Sequence, residues 1–66
     1  MTNEEFRQAR INKRLTQKKL GLMLGYPEKS AERTVQHWEY GTQPIPLKHF
    51  RKLSEILEIP LERFIP

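Results

Sequence analysis

The chain predicts an all-α fold, a compact five-helix bundle forming one domain over residues 1–66. Three observations carry this. Apolar residues recur at spacings of three and four, helix-capping residues and Gly or Pro punctuate them at helix-length intervals, and β-branched alternation is missing throughout. A chain of 66 residues buries only about 60 per cent of the surface its unfolded form exposes, which leaves room for a single core.

Each element has its own signal. Thr2 followed by Glu5 is a capping box, and Phe6 and Ala9 give one apolar edge to a first helix running to about Lys13. Leu15 closes a short connection, and Thr16 caps the second helix, whose buried edge is Leu20, Met23 and Leu24. Gly25 and Tyr26-Pro27 stop it. Ser30 is the next cap, and Ala31, Val35 and Trp38 mark the inner edge of a third helix, over about residues 30–40, that Gly41 ends. Pro44 and Pro46 bracket a loop, after which Phe50, Leu53, Ile56 and Leu57 define a fourth helix. Pro60 stands where a short fifth helix would begin, with Leu61, Phe64 and Ile65 packing it back onto the core. Gly21, inside the second helix, is expected to let the second and third helices approach closely.

Composition removes several classes of function. With 36 per cent hydrophobic and 30 per cent charged residues, the chain is too apolar for a disordered tail and too polar to cross a bilayer. It has no cysteine and no apolar stretch resembling a signal peptide near its start, so a reducing cytoplasm is the expected setting and no membrane partner is expected. There is no Asp, the serines are Ser30 and Ser54 alone, and His37 and His49 fall in different predicted elements. Neither a nucleophilic triad nor a metal cluster can be assembled from these, and three scattered glycines form no phosphate-cradling loop. An enzyme, a metal and a cofactor are therefore not expected, and His49 reads as a surface residue.

The net charge of +4 is unevenly placed, because residues 1–33 hold eight Lys/Arg against four Glu while residues 34–66 hold four of each. A polyanion is attracted to such a half, although charge alone suits RNA, DNA, an anionic membrane or merely a solvated face.

Taken together, the residues resemble the Cro and phage-repressor type of helix-turn-helix, the lambda-repressor-like or XRE family of bacterial and phage regulators. The resemblance runs from Phe6 to Ile65. It rests on Arg10 six residues before Thr16-Gln17, on Leu20-Gly21, Gly25, Val35, Trp38-Glu39 and Gly41, and on the closing Leu53, Ile56 to Leu61, Phe64 and Ile65. One departure stands out: about four extra residues lie between Gly25 and Val35. Pro27 at a first helical position would make them an additional turn of the third helix, whereas Ser30 as N-cap would make them loop. We take the loop, so the turn before the recognition helix is expected to be longer than usual. In either case Val35 and Trp38 face inward.

The resemblance implies a double-stranded DNA partner, read in the major groove by the third helix of a homodimer on a two-fold operator, with repression as the outcome. With Ala31, Val35 and Trp38 inward, Glu32, Arg33, Gln36, His37 and Tyr40 project outward. Arg33 can grip guanine, Gln36 adenine, Glu32 the cytosine amino group, and His37 a base or a phosphate. Phosphate contacts are expected from Gln17, by the family pattern, and from Arg14, Lys18, Lys29, Tyr40, Thr42 and Lys48. The resemblance also implies a partly buried ion pair between Arg10 and Glu39, structural in role. Apolar density around Leu57, Ile59, Leu61 and Ile65 exceeds what one short helix needs and is assigned to the dimer interface. The rival expectation is a protein-interaction module on the same fold, such as an antitoxin masking a partner, suggested by Glu28 and Glu32 beside the reading face and by the thinly charged loop 42–46.

Overall fold

The computed structural model describes residues 1–65. Along the chain run α1 (Asn3–Asn12), α2 (Gln17–Met23), α3 (Glu28–Tyr40), a 3-10 turn (Leu47–His49) that leads directly into α4 (Phe50–Leu57), and a closing 3-10 turn (Leu61–Arg63). No strand occurs among the described residues. The described residues are thus all-helical, with four α-helices. The expected fifth helix is a single 3-10 turn, since only three residues separate Pro60 from Phe64, which must enter the core.

The helix ends follow side-chain chemistry. Thr2 Oγ1 accepts from the Glu5 amide at 3.1 Å while Glu5 Oε1 accepts from the Thr2 amide at 2.9 Å, and Thr16 Oγ1 accepts from the Lys19 amide at 3.0 Å. Gly25 (φ +97°) and Gly41 (φ +78°) end α2 and α3 in the left-handed region, which glycine enters without a Cβ penalty. Arg14 (φ 57°) and Glu58 (φ 55°) do the same work after α1 and α4 at a steric cost. At Arg14 the closing bonds run from the Arg14 amide to the Ile11 carbonyl (2.8 Å) and from the Leu15 amide to the Arg10 carbonyl (3.2 Å).

The start of α3 corrects the expectation of a long loop. Pro27 is the N-cap, with its carbonyl accepting from the amides of Ser30 (3.0 Å) and Ala31 (2.9 Å), so Glu28 is already helical. Ser30 sits inside the helix and points its hydroxyl back at the Pro27 carbonyl, 3.4 Å away. The connection is only Leu24–Pro27, of ordinary length for two helices meeting at a turn, and the additional residues become an extra turn of α3. Two effects favour this outcome: the proline ring fixes φ at −66° on the approach, and Glu28 places a carboxylate at the positive end of the helix.

Phe6, Leu20, Val35, Trp38, Leu53, Leu57 and Phe64 form the core, with one or two residues from every α-helix. Trp38 is its centre, 3 % exposed, with Phe6 and Tyr26 edge-on at centroid distances of 6.4 and 6.0 Å. Ala31 is fully buried against Gly21. Three expectations need correction. Met23, assigned to the buried edge of α2, is 38 % exposed, because the four-residue step from Leu20 to Leu24 carries the inner face past it. Ile65 is 52 % exposed and does not pack inward. His49 is no surface residue: it is half-buried, its Nε2 is hydrogen-bonded to the Tyr26 hydroxyl at 2.7 Å, and its ring lies 5.7 Å from that of Trp38.

Candidate nucleic-acid interface

Behind α3 lies a polar clamp. Arg10 donates from Nε to Glu39 Oε2 at 2.6 Å and from Nη2 to Glu39 Oε1 at 3.2 Å, and its Nη1 donates to the Leu15 carbonyl at 2.7 Å. Gln17 adds a bond from Nε2 to Glu39 Oε1 at 3.0 Å. One carboxylate on α3 is thereby tied to the end of α1 and the start of α2, and the Arg10 guanidinium also holds the link between those helices. The Glu39 side chain is 1 % exposed, so its charge is sustained by these donors rather than by water. No buried side-chain polar atom among the described residues lacks a partner. The sequence pointed to Arg10 and Glu39 through the resemblance alone; the inward turn of Gln17 and the carbonyl of Leu15 were not foreseen.

A second constraint lies near the other end of α3. A Cβ built on Gly21 would stand 2.5 Å from the Ala31 carbonyl oxygen and 2.7 Å from the Ala31 Cβ, so the α2–α3 contact exists only because residue 21 has no side chain.

In front, α3 is open. Glu28, Lys29, Glu32, Arg33 and Tyr40 are exposed, Tyr40 by 72 %, and Gln36 and His37 are half-buried. Their situations differ. Lys18 Nζ reaches across from α2 to Glu28 Oε1 at 2.8 Å; this bond holds the Glu28 carboxyl below its usual range and raises the Lys18 ammonium above its own. Glu32 adds to the field on Lys18 from the same side. His37 Nδ1 is hydrogen-bonded to Thr42 Oγ1 at 2.8 Å, and that hydroxyl also donates to the His37 carbonyl at 3.2 Å, so both side chains are occupied in finishing the helix. Lys29 and Arg33 take part in no ion pair among the described residues. Arg14 and Lys48 are exposed outside α3, Arg14 on the left-handed corner after α1 and Lys48 in the 3-10 turn before α4.

The residues assigned to a dimer interface separate. Leu57 is 3 % exposed within its own core and offers nothing to a partner, Ile59 and Leu61 are half-buried, and Ile65 is open. Among the described residues no helix is long and apolar enough to cross a membrane.

A short helix, a four-residue turn, and a second helix clamped from behind and open in front define a helix-turn-helix DNA-binding domain. The family model described as Helix-turn-helix matches residues 6–64. The chain belongs to that family, the XRE-type helix-turn-helix proteins of Cro and lambda-repressor likeness, which are DNA-binding transcription regulators. No curated protein and no solved structure matches it.

Proposed function

We propose that the chain is a sequence-specific repressor that binds double-stranded DNA as a homodimer, with α3 in the major groove and two half-sites about one helical turn apart. One observation carries this reading: α3 buries Ala31, Val35, Trp38 and Glu39 and leaves Arg33 and Tyr40 in solvent without an ion pair among the described residues. Arg33 is assigned to guanine, whose two major-groove acceptors fit a planar guanidinium, and Gln36 to adenine. Phosphates are met by Arg14, Lys48 and Tyr40. Gln17 spends one amide hydrogen on Glu39 and keeps the second for a phosphate at the start of α2. Ile65, with the outer edges of Ile59 and Leu61, is the apolar surface assigned to the dimer contact.

Anisotropy with mixed-sequence duplex at several salt concentrations tests the reading. Micromolar or tighter binding that weakens steeply as salt rises is expected, because each phosphate contact releases counterions. A chain whose main partner is a protein would show almost no such binding, and that result would transfer the open face of α3 to the antitoxin-like alternative.

A further inference from the structure

The charges of α3 are sorted into two lanes. Residues 29, 33, 36 and 40 are separated by four, three and four positions and so share one face, carrying Lys29, Arg33, Gln36 and Tyr40. The carboxylates lie to one side of this lane. Glu28 is bonded to Lys18 of α2, Glu32 acts on the same lysine, and Glu39 is locked to Arg10 and Gln17. Glu28 and Glu39 are held toward α2 and α1, and Glu32, between them in the same lane, stands off the face that carries the two cations.

The extra turn gives Lys29 a place in that face. It is the second residue of α3, and side chains on a helix tilt toward its N-terminus, so its exposed side chain has the reach to pass the helix end, the part of a recognition helix that meets base edges. Arg33 follows one turn later, about 6 Å along the axis, which is close to two base-pair steps of about 3.4 Å. Both cations are exposed and unpaired among the described residues.

We propose that Lys29 reads a base together with Arg33, so that each operator half-site presents two guanines no more than two base-pair steps apart, one to each cation. This rests on the DNA-binding reading above. It takes Lys29 from the phosphate contacts to the specificity determinants, and takes Glu32, which shares the lane of Glu28 and Glu39, out of the base readers.

Selection from randomised duplexes, followed by titration of the selected site with 7-deazaguanine at single positions, tests the assignment. That analogue keeps Watson–Crick pairing and removes the N7 acceptor. Selected half-sites should contain the two guanines, and 7-deazaguanine at either one should weaken binding roughly 5- to 150-fold. Lys29→Ala should make the protein indifferent to the analogue at one guanine while leaving the penalty at the other. A selected site without paired guanines, or a Lys29→Ala loss that is the same for natural and substituted duplexes, overturns the inference while DNA binding stands. Absence of binding to any duplex at low salt overturns both. Unchanged helical circular dichroism and thermal midpoint in Lys29→Ala show that the variant is folded.

Discussion

Gly21 and Ala31 meet backbone against backbone: no Cβ fits at residue 21, because the Ala31 carbonyl oxygen already lies 2.5 Å from where it would stand. Gly21→Ala should therefore destabilise the domain although alanine is the better helix former by about 1 kcal/mol. Overpacking of a rigid contact costs about 1–3 kcal/mol, and here the neighbour is backbone, which cannot swing aside. Urea denaturation should show a lowered midpoint with an unchanged slope. A more stable variant would mean that α2 and α3 can separate freely.

Removing one partner of the Arg10–Glu39 pair should be more damaging. Glu39→Ala strands a guanidinium that is 10 % exposed and takes the acceptor from Gln17, and a loss of about 3–5 kcal/mol is expected. Arg10→Met combined with Glu39→Leu should cost much less than the two single changes added together, since no buried charge remains. Additive losses in a double-mutant cycle would count against coupling between these side chains.

His49 should make stability depend on pH near neutrality. Burial lowers its proton affinity first, and the ammonium groups of Lys48 and Lys52 add to the effect. The folded-state value therefore lies below the ordinary 6.5, and between the two values the unfolded chain binds more protons than the folded one. The stabilisation is fully present above about 6.5 and is lost as pH falls toward the folded-state value. Thermal midpoints of the natural chain should drop through this window, whereas those of His49→Gln should change less.

Arg14 holds a left-handed conformation that costs a non-glycine residue about 1–2 kcal/mol, while glycine loses about 0.5–1 kcal/mol more chain entropy on folding. Arg14→Gly should thus raise stability by about 0.5–1 kcal/mol. If Arg14 also meets a phosphate, the same change weakens all duplexes alike and makes the salt dependence shallower by about one contact. Stability and DNA affinity then move in opposite directions in one variant, which chemical denaturation and anisotropy measure separately.

What the sequence disclosed depended on how local the cause was. The capping box at Thr2 and Glu5, the Thr16 cap, and the left-handed ends at Gly25 and Gly41 lie within a few residues of their partners, and they appear where the pattern put them. The start of α3 was obscured because Ser30 is a good cap by type, while Pro27 closed the first turn through its carbonyl, which every residue possesses. His49 departs from its surface expectation for a different reason. Its burial comes from Tyr26 and Trp38, on other elements, and nothing beside it in the chain signals that. Met23 and Leu57 fall in the same category, since a helix edge read from spacing alone leaves its width undetermined. Of the outward face, spacing located Arg33 and Gln36, but it could not separate Lys29 from Lys18, whose different surroundings depend on the reach of Glu28.

Because α3 is gripped at Ala31 and again at Glu39, it behaves as a beam on two supports about 12 Å apart, with Glu28–Ser30 as a one-turn overhang joined to α2 by the short connection and the exposed Lys18–Glu28 bridge. A beam so mounted keeps its bearing when the overhang is rewritten, since none of those three residues belongs to either support. New recognition properties can therefore arise at positions 28–30 without refolding the domain, whereas further growth at that end would have to be matched by a longer connection back to α2.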